Sequence, residues 1–110
     1  MTTYLVLLHE DEGAWAAASS AEREAAYAAH AEFNAACGAR GHTIVHAHEL
    51  APAATALLVR GGSVTDGPYT EAVEQLSGYY LVETSDVADL AALVSGVLGS
   101  GCAELRPVAA

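Results

Sequence analysis

The chain has 110 residues, a length that suits one domain, residues 1–110, with one modest core. Its 14 acidic residues stand against four Arg and no Lys, for a formal net charge of −10. That balance argues against a nucleic-acid partner, which needs clustered cations, and equally against anionic membrane surfaces.

Thr3 to His9 reads as a strand rich in Leu and Val, apolar on both faces and therefore central in a sheet. Its apolar run, Tyr4 to Leu8, is far too short for a signal peptide or a spanning helix, so a soluble, cytoplasmic protein is expected. Ser19, followed by Glu22, is a capping-box signature. The Ala-rich helix it opens runs to about Cys37 and stops at Gly38 and Gly41, with Trp15 packing the helix start onto the sheet. His42 to Leu50 is a second strand, ended by Pro52. Thr55 to Arg60 is a third, and Gly61-Gly62 turns it back into Val64-Thr65.

Asp66-Gly67-Pro68 is a turn signal, and Glu71 and Glu74 after it share a face if Thr70 to Leu76 forms a short helix. Tyr79 to Glu83 is a further strand. Asp86 caps a second helix, whose Leu90, Leu93, Val94, Val97 and Leu98 give the clearest amphipathic pattern in the chain. Gly99 and Gly101 end it, and Cys102 to Val108 is the last strand. Cys37 and Cys102 have no metal or redox spacing and read as two buried thiols.

The order is β-α-β-β-β-α-β with one strand pair added to a βαββαβ core, an α+β fold with both helices on one sheet face. The other face then needs cover, and a second copy related by a two-fold axis supplies it naturally, making a homodimer.

Several stretches, in order, resemble the YCII-related family, in particular its branch with an Asp-Gly-Pro-Phe motif. They are Tyr4-Leu5-Val6-Leu7-Leu8, then Pro52, Thr55 and Val59-Arg60, then Thr65-Asp66-Gly67-Pro68-Tyr69 with Glu71, Glu74, Gly78, Tyr79 and Tyr80, and last Arg106-Pro107-Val108. Tyr69 stands where Phe is usual, and Val73 where a Lys is common. The resemblance implies a ferredoxin-like subunit that pairs into a dimeric α/β barrel, with a pocket between helix and sheet. It also implies a His on the first helix facing that pocket and paired with an Asp in acid–base chemistry. His30 matches that His, whereas Gly99-Ser100-Gly101 stands where the better-known branch has the Asp. A few relatives act on small aromatic or lactone-like compounds, and genes of this branch often neighbour alternative sigma factors.

His30 therefore reads either as a general base or as a buried His satisfied by one hydrogen bond. Asp66 reads either as its orienting partner or as a cap on its own turn. His9, Tyr27, Tyr69 and Tyr79 are the candidate lining for a small-molecule ligand, and no cofactor is required. The competing readings are a non-catalytic small-molecule sensor or sigma-factor adaptor and a metal-binding protein. For the latter, His42, His46 and His48 fall on one strand face, and His46-Ala47-His48 has zinc-ligand spacing.

Overall fold

The computed structural model describes all residues, 1–110. In chain order they form β1 (Thr2–Asp11), α1 (Glu12–Ala17), α2 (Ser20–Ala39), β2 (Thr43–Glu49), β3 (Leu57–Arg60), β4 (Ser63–Asp66), β5 (Glu74–Thr84), α3 (Val87–Ser95) and β6 (Cys102–Pro107). A single 3₁₀ turn, Ala53–Thr55, lies between β2 and β3. Four strands make one antiparallel sheet in the order β2-β5-β1-β6, and β3 pairs with β4 in a separate ribbon. With the ribbon and α1 set aside, this is the ferredoxin-like βαββαβ arrangement, an α+β fold with an open sheet and the expected extra strand pair. No helix is long and apolar enough to cross a membrane.

Alternation along the two central strands decides where the core lies. Val6 and Leu8 of β1 and Tyr80 and Val82 of β5 point to one face, where Phe33 and Cys37 of α2 and Leu90 and Val94 of α3 close over them. Leu5, Leu7, Tyr79 and Leu81 alternate to the other face and stand outside that core. The caps form as expected: Ser19 and Glu22 satisfy each other's backbone N–H groups at 3.1 Å, and Asp86 accepts from the Asp89 N–H at 3.1 Å.

The structure corrects four sequence expectations. First, α1 is a helix of its own, started by Asp11, whose carboxylate accepts from the Ala14 N–H. Second, Thr70 to Leu76 is not a helix, because β5 begins at Glu74 and pairs Glu74 and Gln75 with Asp11 and Glu10 of β1. The long ladder outweighs the local helical spacing, and Glu71 and Glu74 share no helix face. Third, α3 ends at Ser95, where the Gly96 N–H caps onto the Leu93 carbonyl; Val97 and Leu98 pack against the core from the following turn. Fourth, Cys102 is exposed and only Cys37 is buried.

The Asp-Gly-Pro motif has a packing explanation. The Gly67 N–H donates to the Ala56 carbonyl at 2.7 Å, and a side chain at Gly67 would lie 2.9 Å from the Ala56 Cβ. Only glycine lets the end of the β3–β4 ribbon close against its own start. The Gly67–Pro68 peptide bond is cis.

Candidate functional site

Small residues open a cleft between α2 and the sheet. In the C-terminal half of α2, Phe33 and Cys37 fill the gap completely. In the N-terminal half the inward residues are Ala25, Ala26 and Ala29, and beneath them lie Ala47 and Gly78. The result is a cleft of about 790 Å³, walled by Glu10 and Leu8 of β1, Trp15 of α1, Tyr27 and His30 of α2, Glu49 of β2 and Tyr80 of β5. Its volume is in the range of ordinary small-molecule sites. Gly78 also lets β2 and β5 approach, since a side chain there would meet the His48 carbonyl at 2.9 Å.

At the inner wall His30 Nδ1 lies 2.7 Å from the Tyr80 hydroxyl, with the two rings stacked at 5.9 Å and 18°. Tyr80 is buried and its ring meets Phe33 edge-on at 4.9 Å. Burial pushes the Tyr80 phenol up from its ordinary value, so its hydroxyl keeps its proton. A phenol hydroxyl can donate to Nδ1 or accept from Nδ1–H. Either way the second ring nitrogen, Nε2, is left as the atom that can exchange a proton with a ligand. Asn34 Nδ2 donates to the His30 carbonyl at 2.8 Å, tying down the turn that carries the imidazole. At the outer rim Trp15 and Tyr27 meet edge-on at 5.6 Å.

Of the sequence candidates, His30 and Tyr27 line this cleft with their side chains. Tyr79 borders it through its strand, but its ring lies on the opposite sheet face, stacked on His46 at 5.8 Å, with its hydroxyl 2.7 Å from His46 Nδ1. His9 alternates to that opposite face as well. Tyr69 is 81% exposed on the ribbon side, with the Arg60 guanidinium 5.8 Å from its ring centre. Asp66 is exposed at the end of β4, away from the cleft lining and without a side-chain hydrogen bond. The His30 partner within the chain is thus Tyr80, and Asp66 neither orients His30 nor caps its turn.

The three-histidine face is corrected by a β-bulge. The pairing of β2 with β5 shifts between Ile44 and His46, so Val45 is the extra residue and the alternation changes parity there. His42 and Ile44 face the helices, whereas His46 and His48 face out on the other side, their rings 4.8 Å apart. No set of three or more His, Cys, Asp or Glu side chains converges as a metal site.

His42 instead anchors a polar network that the sequence did not announce. Its Nε2–H donates to the Asp89 carboxylate at 2.7 Å, and the Thr84 hydroxyl donates to Nδ1 at 2.7 Å while accepting from the Asp86 N–H at 2.9 Å. Arg40 completes it with a two-pronged contact to Asp89, Nε to Oδ2 being 2.9 Å. Arg40, and then His42, hold the Asp89 carboxyl well below the usual carboxylate range. Every polar group in this buried corner is paired, and the network lies away from the cleft. It locks the end of α2 to the start of α3.

Comparison with known proteins adds a family but no characterised relative. A family model for the YCII-related domain matches residues 2–109. No curated protein matches the chain.

Proposed function

The chain belongs to the YCII-related family, and from that premise we propose that it is an acid–base enzyme acting on a small organic molecule bound between α2 and the sheet. One observation carries the reading: His30 Nδ1 is held 2.7 Å from the Tyr80 hydroxyl at the wall of a cleft large enough for a ligand. A buried phenol that fixes one imidazole nitrogen leaves the other to take a proton from, or return it to, a carbon or oxygen of the ligand. The reactions within reach are isomerisation, elimination and hydrolysis. The motif Asp66-Gly67-Pro68-Tyr69 supports assignment to the family's Asp-Gly-Pro-Phe branch. Cys37 and Cys102 are both free thiols, in keeping with a cytoplasmic, reducing setting.

The same reading includes a two-fold homodimer. Leu5, Leu7, Tyr79 and Leu81 make an apolar stripe across the sheet face that the helices leave bare, and a second copy is a self-complementary cover for it.

The enzymatic reading is tested without knowing the substrate. The protein is incubated in D₂O with a panel of small ketones, lactones and amino ketones, and carbon-bound deuterium is followed by NMR. The native chain is expected to speed exchange on at least one compound, and His30→Ala to lose roughly 100-fold or more of that rate while remaining folded. Exchange that survives His30→Ala, or a native chain inert to the whole panel, contradicts the enzymatic reading and leaves a ligand-binding module in its place.

A further inference from the structure

We propose that the cleft selects a small ligand with a flat apolar body and a positively charged amine. The inference rests on the cleft being the ligand site and adds the chemical class it takes. The apolar part follows from the walls, where Trp15, Tyr27 and Tyr80 supply flat aromatic surface and Leu8 adds an aliphatic one.

The charge follows from a census of the same walls. Four carboxylates line the cleft, those of Glu10, Asp11, Glu12 and Glu49, and no Arg or Lys does. Two of the four are already engaged: Asp11 caps α1 through the Ala14 N–H, and Glu12 accepts from the Ala53 N–H at 2.8 Å. Glu10 and Glu49 make no hydrogen bond or ion pair within the chain and alternate toward the helix-side face of the sheet, Glu10 half-buried and Glu49 exposed. The nearest cation is Arg23, which sits 5.4 Å from the Trp15 ring centre and spends its terminal nitrogen on the Trp15 and Ala16 carbonyls, each at 3.1 Å. Its Nε is buried without a hydrogen-bond partner, but the residue is outside the lining of the cleft.

An anionic ligand would therefore meet two unpaired carboxylates with no Arg or Lys in the lining to compensate them. A cationic amine would pair with them and lie beside electron-rich ring faces. Glu49 is exposed and Glu10 half-buried, whereas Tyr80 is buried beside His30, so an amine paired with either carboxylate would leave the rest of the molecule to lie toward the His30–Tyr80 pair.

Trp15 is the sole tryptophan of the chain and lies in the cleft wall, so its fluorescence reports occupancy directly. Three near-isosteric probes separate charge from shape: 3-phenylpropan-1-amine, 3-phenylpropan-1-ol and 3-phenylpropanoate. The amine is expected to bind at least tenfold more tightly than the carboxylate, with the alcohol between, and the spread to narrow as salt rises. Glu10→Gln and Glu49→Gln are expected to weaken the amine severalfold and leave the alcohol unchanged. Two variants are used because Glu10 packs beside Gly101, whereas Glu49 is exposed and its change cannot disturb the core. Equal affinity for the three probes, tighter binding of the carboxylate, or amine binding untouched by both variants overturns the charge selection while leaving the cleft as a ligand site. No saturable change in Trp15 emission with any probe overturns the cleft reading and the selection together.

Discussion

His30 and His42 each sit 2.7 Å from a hydroxyl, yet their surroundings give them opposite roles. His42 has both nitrogens committed inside the corner made by Thr84 and Asp89, and nothing is left for a ligand. His30 has one committed nitrogen and a cleft beside it. The His42 corner makes its own prediction through Asp89. Its folded carboxyl titrates below the unfolded value of about 3.9, so its stabilisation is complete above about pH 5 and is lost as pH falls through and below that value. The side chain is 22% exposed, so solvent screens part of the effect. Asp89→Asn should therefore lower the melting temperature by a constant amount from about pH 5 to 8, and the gap to the native chain should narrow progressively below about pH 4. A gap of the same size at about pH 3 would show that the ion pair is not the stabilising contact. Little of this was legible beforehand, because Arg40, His42, Thr84 and Asp89 are brought together only by the packing of α2, β5 and α3. His30, by contrast, was legible from its place on the helix, while its partner was not: Tyr80 is fifty positions away and reads from sequence as an ordinary strand aromatic.

At the scale of elements, local signals served well where caps decide an outcome. Ser19 and Asp86 each start a helix through a backbone hydrogen bond that their own neighbours complete, whereas α3 ends with Gly96 as its cap, ahead of the Gly99 and Gly101 expected to stop it. The readings that failed are those in which a distant strand overrules local spacing. Glu71 and Glu74 have helical spacing, but Glu74 is drawn into the ladder with Asp11. His42, His46 and His48 have strand spacing, but one extra residue at Val45 turns His42 inward and the other two out. A bulge leaves no mark on hydrophobic periodicity when the residues around it are Val, Ile and Ala. The cleft has the same origin: alanines along α2 look like helix propensity, and only the sheet beneath shows that they are also missing volume. The Asp-Gly-Pro loop, the most specified stretch in the sequence, turns out to close a ribbon through Gly67 and Ala56 rather than to supply a group to the cleft.

The whole molecule is flat, 44 × 41 × 18 Å, with a radius of gyration of 15.2 Å where about 13 Å suits a compact chain of this length. Its accessible surface is 6970 Å², against about 5,700 Å² for a compact 11.2 kDa protein. The excess, roughly 1,300 Å², exceeds the 800 Å² or so that each partner commits to a standard interface. That surplus, on a chain with only 11 buried residues, supports the proposed dimer through the bare sheet face. Light scattering should give twice the chain mass, and Leu81→Arg, whose side chain lies on that face, should halve it with the helix-side core intact. A native monomer at micromolar concentration contradicts the pairing. The dimer would leave the cleft on the far side of the sheet, so ligand chemistry is read in either state. The imidazole NMR spectrum of the five histidines addresses that chemistry most directly. On saturation with 3-phenylpropan-1-amine, and separately in Tyr80→Phe, the His30 ring signals should move while those of His42, His46 and His48 hold still. A ligand response confined to His46 and His48, with His30 unmoved, would place binding on the opposite sheet face and contradict the account.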